Sequence, residues 1–325
     1  MKRLFLFLLI VVLLLAAHVA YVFFRPIGPA QQKFILLRPG SSARHIARQL
    51  KDEGLIRSAP AFLVLHWLEP AQLKAGEYLF DHPANMLEVY GRLARGDIYT
   101  HTVVIPEGYN IWEIAAALEA AGLGPQQEFL ELAQSQTSLI ADLDPAAASL
   151  EGYLFPDTYQ FTRTQGPRDM LAAMVHRFRR EIHDIGLNGD FHRIVTMASI
   201  VEKETAAPEE RPLVASVYYN RLKKNIALGA DPTVVYGAML AGHYRGTIFQ
   251  SDLASDSAYN TYKRRGLPPG PIANPGRSSL LAAMHPAESD YLYFVSDNNG
   301  HHRFARTSAE HERNVAAYRK AAAGH

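Results

Sequence analysis

Residues 4–24 read LFLFLLIVVLLLAAHVAYVFF, a run of 21 residues without a charge, in which His18 is the only strongly polar side chain. As a helix rising about 1.5 Å per residue, the run is about 31 Å long, enough to cross the hydrocarbon core of a bilayer. Lys2 and Arg3 precede it, which keeps the short N-terminus on the cytoplasmic side. Tyr21, Phe23 and Phe24 gather at the far end, where aromatic rings favour the membrane interface, and Arg25 marks the exit. A cleaved signal peptide is the competing reading. Its apolar core is usually about 7–15 residues long and ends at a small-x-small site. Ala16 to Ala20 offers no clean site of that kind. Nothing later in the chain is apolar enough to span again, so the expectation is a single-pass protein of the inner (cytoplasmic) membrane. Residues 1–25 form the tip and anchor, and the C-terminal bulk lies in the periplasm.

The chain has 325 residues, enough for an anchor and about two folded units. A hydrophobic share of 48% supplies a core of ordinary size. The formal net charge is only +1, so no global basic field points to nucleic acid. Cysteine is absent, which excludes disulfides, zinc–thiolate sites and cysteine nucleophiles.

Beyond the exit, residues 26–32 read as a linker of Pro, Gly and Gln. A weak internal duplication follows. Phe34 to Leu37 reads as a strand, Pro39 to Ser42 as a turn and Ala43 to Leu50 as a helix, and Gly54-Leu55-Ile56 closes the unit. The plan returns with Thr102 to Ile105 as strand, Pro106-Glu107-Gly108 as turn and Ile111 to Ala121 as helix. Asn110 and Glu113 have the spacing of a capping box, and Gly122 suits a left-handed stop. Between the copies, Gly76 to Phe80 reads as a strand and Met86 to Leu93 as a short helix. Residues 33–105 thus make a small α+β unit that resembles the LysM-like module, a strand–helix–strand plan that binds aminosugar chains. A spacer that positions the next domain is the plainer reading.

Residues 106–325 form the larger domain. Its stretch from about 125 to 190 reads as largely helical, interrupted by Glu151-Gly152-Tyr153-Leu154-Phe155-Pro156-Asp157-Thr158-Tyr159. That string is too aromatic for an ordinary surface loop and is expected to pack. Phe191 to Thr205 then reads as a helix with Ile194, Met197, Ala198 and Val201 in one buried stripe. Glu202 and Glu204 flank that stripe on opposite edges, at the end of the helix where the dipole disfavours carboxylates. A carboxyl desolvated beside an apolar stripe holds its proton to higher pH, as a general acid for glycosidic cleavage requires. The plainer alternative leaves both solvated, with Lys203 or Arg211 as partner. Periodicity does not choose between Glu202 and Glu204.

Further on, Asp231-Pro232 reads as an N-cap and first helical position, or as a second acidic group of the site. Tyr259-Asn260-Thr261-Tyr262 leads into the rigid loop Gly266 to Gly276, whose rings and amides suit sugar faces and N-acetyl groups. Tyr291 to Val295 and His301 to Phe304 read as a hairpin around Asp297-Asn298-Asn299-Gly300. His301 and His302 are adjacent on a strand and point to opposite faces, which argues against a shared metal ion.

Seven strings in order carry a resemblance over nearly the whole chain. They are EGYLFPDTY at 151–159, ASIVEKET at 198–205, VYYNRL at 217–222, DPTVVY at 231–236, YNTY at 259–262, GLPPGPI at 266–272 and His285-Pro286. The chain so resembles the endolytic murein transglycosylases, also described as YceG-like. The resemblance implies a lyase that cuts within peptidoglycan strands at the MurNAc–GlcNAc bond, leaves 1,6-anhydro-MurNAc ends and terminates nascent strands. It assigns catalysis to the first Glu of Glu-Lys-Glu, Glu202. Asn220, Asp231, Tyr259, Asn260, Tyr262 and Glu204 become candidates for holding sugar. It implies no cofactor and no metal, and cell-wall synthases as possible partners. A muramidase pairing Glu202 with Asp231 and a non-catalytic glycan-binding scaffold are the alternatives.

Overall fold

The computed structural model describes residues 1–322, which fold as a mixture of helices and small sheets in two units. The first unit comprises Met1–Thr102 and Gln160–Gly166, and the second Val103–Tyr159 and the chain from Pro167 onward.

The first unit opens with α1 (Lys2–Phe24), a 23-residue helix of mean hydropathy 2.8 in its most apolar window. Among the described residues it is the one helix long and apolar enough to cross a membrane. Then come β1 (Lys33–Leu37), α2 (Ala43–Asp52), α3 (Ala59–Leu68), β2 (Gly76–Phe80) and α4 (Met86–Arg95). β1 and β2 pair antiparallel, with Lys33 opposite Phe80 and Leu37 opposite Gly76. Ser42 and Ser58 accept from His45 N and Ala61 N, so each short helix starts on a side-chain cap. Leu37, Leu50, Phe62, Tyr78, Phe80 and Leu93 form the core. The last turn of α1 belongs to that core. Val22 is buried in it, Phe23 packs against it, and Ile27 makes an isolated antiparallel bridge with Ala84.

α3 departs from the strand–helix–strand plan read from the sequence. Its ten residues carry no Asp, Glu, Lys or Arg, so no polar face marks a 3.6-residue period. Pro60 resembles a turn signal, but at the first turn of a helix its missing N–H costs nothing.

The chain passes between the units within β3 (His101–Val104) and β4 (Thr158–Phe161), which pair with each other. The second unit then holds α5 (Ile111–Ala120), α6 (Gln126–Ser135), α7 (Pro167–Asp184), α8 (Phe191–Glu204) and α9 (Arg211–Lys223). It continues with α10 (Asp231–Leu240), α11 (Gln250–Leu253), α12 (Arg277–Met284), β5 (Tyr293–Ser296), β6 (His302–Ala305) and α13 (Ser308–Ala322). α8 is the central helix. Residues 195–201 are all buried, and α8 packs on α9, α10 and α12. β5 and β6 pair antiparallel, Tyr293 opposite Ala305.

The string 151–159 packs, as its aromatic content predicts. Tyr153, Leu154, Phe155 and Tyr159 are buried, and Tyr153 Oη donates to Asp144 at 2.6 Å. The capping box at Asn110 and Glu113 forms with both reciprocal hydrogen bonds, at 3.0 and 2.8 Å. Asn110→Ala removes one of these and is expected to cost about 1 kcal/mol of stability, read as a lower urea midpoint with an unchanged m-value.

Candidate active site

α8 ends at Glu204 because Thr205 is extended and Pro208 follows, so the next helical segment restarts in a new direction at Arg211. This break sends the two carboxylates of Glu-Lys-Glu into different surroundings.

Glu202 points inward and both of its oxygens are engaged. Arg211 Nη2 donates to Oε1 at 2.8 Å, and the Gly276 N–H donates to Oε2 at 2.9 Å. The side chains of Glu202 and Arg211 are only 5% and 7% exposed, so this is a buried ion pair. Burial raises the Glu202 carboxyl above the usual range, opposed by the Gly276 N–H and the Arg211 charge. Glu107 adds a third member, 3.5 Å from Arg211 Nη1. A Cβ at Gly276 would stand 1.9 Å from the Glu107 carboxylate, so a larger residue there would displace this half-exposed side chain from the cluster.

Glu204 sits on the other side of the helix end. Tyr218 Oη donates to its Oε1 at 2.7 Å, while no group among the described residues donates to Oε2. Burial pushes the carboxyl up to about 7, opposed by the Tyr218 hydrogen bond and assisted by the charge of Asp231. Glu204 lines a cleft of 460 Å³ with Tyr218, Arg221, Asp231, Tyr262, Tyr293 and Phe294. Asp231 also lines a second cleft of 320 Å³, with Lys203, Asn110, Glu113, Tyr236 and Tyr244. Consecutive residues of the motif thus border two clefts that share one carboxylate.

The other candidates divide. Asp231 and Tyr262 come together in the first cleft, where Tyr262 Oη donates to Asp231 Oδ1 at 2.6 Å. Asp231 is the first residue of α10 and not its cap: Ala230 holds the cap position, and no side chain caps that helix. Asn220 spends its amide on the carbonyls of Ser289 and Tyr291, at 2.8 and 3.0 Å. Asn260 is fully buried and donates to the carbonyls of Leu253 and Ser255. Tyr259 packs its ring 4.9 Å from that of Tyr236. These three shape the walls of the site from behind.

Another buried carboxyl, at the head of the 151–159 string, was not singled out by the sequence reading. Glu151 accepts from the Ile111 N–H at 3.1 Å, from Asn274 Nδ2 at 2.9 Å and from Tyr236 Oη at 3.1 Å. Asn274 also accepts from the Leu154 N–H at 2.8 Å and donates to the Tyr109 carbonyl at 2.9 Å. The network ties the EGYLFPDTY string, the start of α5 and the Gly266–Gly276 loop together. Burial pushes the Glu151 carboxyl up to about 8. Among the described residues no group of three or more His, Cys, Asp or Glu side chains is placed to hold a metal ion. His301 and His302 both lie against Glu210, at 3.4 and 2.6 Å.

The YceG-like family model matches residues 35–317, and the chain belongs to that family. The endolytic murein transglycosylase of Bacillus subtilis is 33% identical over 302 residues, covering 86% of this chain and 82% of that protein. The endolytic murein transglycosylase of Streptococcus pneumoniae is 29% identical over 331 residues, covering 90% of this chain and 60% of that one. A crystal structure of a YceG-like protein from Listeria monocytogenes superposes with a TM-score of 0.57 at 32% identity. That match covers 88% of this chain and 99% of the other.

Two outcomes follow for stability. Arg211→Met strands the Glu202 charge in the interior and is expected to cost about 3–5 kcal/mol in urea unfolding, most of it recovered when Glu202→Gln is added. Glu151 is protonated in the folded state up to about pH 8 and ionises near its ordinary carboxylate range when unfolded. The folded state therefore binds the extra proton between those values, and stability from this group is lost as pH rises through about 8. Glu151→Gln is expected to flatten the fall in melting temperature between acid and mildly alkaline buffer.

Proposed function

We propose that this chain is a membrane-anchored lytic transglycosylase that cuts within peptidoglycan glycan strands at the MurNAc–GlcNAc bond and leaves 1,6-anhydro-MurNAc ends. The names of its relatives support the substrate class and the type of reaction. The observation that carries the mechanism is the state of Glu204, desolvated, held by a protein donor at one oxygen only, and lining a cleft.

The resemblance assigns the acid role to Glu202, but the geometry favours Glu204. Both Glu202 oxygens accept from protein donors, Arg211 and the Gly276 N–H, and both donors favour its ionised form over the protonated form that a general acid needs. Glu204 near neutral pH has a proton to give and an oxygen from which to give it. Protonation of the bridging glycosidic oxygen breaks its bond to C1 of the MurNAc residue, and the substrate's N-acetyl group supports the positive charge left there. The resulting Glu204 carboxylate then removes the proton from the C6 hydroxyl as O6 closes on C1. The proton count balances, water is not consumed, and one carboxyl serves where the common hydrolases use two. Asp231 and Tyr262 hold sugar hydroxyls on the facing wall, and the half-exposed Tyr262 ring offers an apolar face to a pyranose. Glu202 with Arg211 positions the helix end that presents Glu204.

Residues 33–105 serve as the LysM-like aminosugar-binding module. The support is the antiparallel pair β1–β2 bracketing two helices, with a polar cleft of 480 Å³ between β1 and α2. α1 anchors the chain in the inner membrane with the larger domain (106–325) in the periplasm, within reach of nascent strands and their synthases. The length and apolar character of α1 and the Lys2-Arg3 pair before it support this orientation.

The test is a digest of purified glycan strands by the detergent-solubilised full chain, with ends read by mass spectrometry. The wild type is expected to release anhydro ends, and Glu204→Gln to lose at least about a hundredfold in rate, the usual worth of a general acid. Cleavage should also decline above about pH 7 as the acid loses its proton. Loss with Glu202→Gln in a folded protein, together with retention in Glu204→Gln, would return the role to Glu202. Water-added ends would indicate the muramidase, and binding without cleavage the scaffold.

A further inference from the structure

Only one side of α3 is covered; its one polar side chain, His66, meets Tyr90 Oη at 3.1 Å, and the uncovered side is apolar. Phe62 and Leu65 are buried in the core of the first unit, while Val64, Trp67 and Leu68 are 51%, 78% and 63% exposed. These three stand at i, i+3 and i+4, so they form one stripe with Pro60 behind them. An apolar helix face of this kind is normally buried or in contact with lipid.

What covers the stripe is indicated by its surroundings. Arg57, the residue before the cap of α3, donates to the carbonyls of Arg25 and Pro26, the latter at 3.1 Å. Its guanidinium stands over the Tyr21 ring, 4.6 Å from the centroid. The start of α3 is therefore fastened to the point where α1 ends. The last turn of α1 packs on α4 and shares the unit's core through Val22, so no free tether separates this unit from the anchor. Beside the start of α3, Arg44 and Arg48 of α2 rim a cleft of 320 Å³ floored by Ala59, Pro60 and Leu63. Neither arginine forms an ion pair among the described residues.

We propose that α3 is a second membrane contact, an interfacial helix that lays Val64, Trp67 and Leu68 into the headgroup–acyl boundary of the bilayer that α1 crosses. Arg44 and Arg48 meet lipid phosphates alongside it. An exposed tryptophan on an apolar stripe bordered by arginines fits this layer, where the ring is half apolar and half wet. Two attachment points, α1 and α3, hold the first unit at a fixed tilt on the membrane. The proposal rests on α1 being a retained anchor.

Trp67 reports on itself. The chain has two tryptophans, so Trp112→Phe leaves Trp67 as the sole indole. The full-length variant is reconstituted into vesicles of phosphatidylcholine and phosphatidylglycerol. Lipids brominated on upper acyl carbons are expected to remove more than half of the Trp67 emission, with aqueous iodide removing little. Trp67 open to iodide and indifferent to bromine, in vesicles that retain the chain through an alkaline wash, would overturn the proposal and leave the anchor intact. A chain stripped off by that wash would overturn both. Shielding from both quenchers that is lost when the chain is diluted in the vesicles would assign the stripe to a second copy of the chain and overturn the lipid reading.

Discussion

The Glu202–Arg211 ion pair stands at the point where α8 ends, and the arrangement of the second unit's site depends on it. Two carboxylates at a helix C-terminus oppose the helix dipole, by roughly 0.3–1 kcal/mol each when exposed. Breaking a buried pair costs several times more. With both charges desolvated, neither partner can move away without leaving the other unpaired, so the pair fixes the helix end, while Pro208 and the extended Thr205 turn the chain away. Glu107 and the Gly276 N–H complete the cluster, so a strand-to-helix turn, two helices and a loop meet on one guanidinium and one carboxylate.

Three glutamates of the same unit show how access, not burial, separates roles. Glu151, Glu202 and Glu204 are all desolvated, and burial is the leading cause of the upward displacement of each carboxyl. Glu151 is enclosed by an amide, a phenol and a backbone N–H, and holds three segments together. Glu202 is enclosed by a guanidinium and a backbone N–H. Only Glu204 keeps an oxygen without a protein donor and a cleft in front of it. A proton held near neutral pH is of use in catalysis only where a substrate oxygen can reach it.

The first unit carries a different constraint. The helix that enters it from the N-terminus is structurally part of it, since Val22 lies in the same core as Phe62 and Leu93. A linker of residues 26–32 does not insulate the two, because Ile27 is bridged to Ala84 and the Arg25 carbonyl is held by Arg57. Any change in the orientation of the last turn of α1 is passed directly to β1, β2 and the helices on them.

Much of this was legible in residue order. The uncharged run at 4–24, the capping box at Asn110 and Glu113, the strands at 34–37 and 76–80 and the helix ending at Glu-Lys-Glu depend on neighbours within a turn or two. Period and punctuation report such neighbours directly. The family strings carried the membership. α3 was not legible, because a helix without a polar face has no period to read. Asn220 and Asn260 resembled sugar ligands because an amide's type says nothing of its partner, and their partners are carbonyls up to 71 residues away. Asp231 resembled a cap and is bonded to Tyr262, 31 residues on. By itself the sequence determined that two carboxylates lie on opposite edges of one helix end. Only the tertiary structure decided which of them faces a cleft, because desolvation and access are properties of everything that packs around a group and not of the segment that carries it.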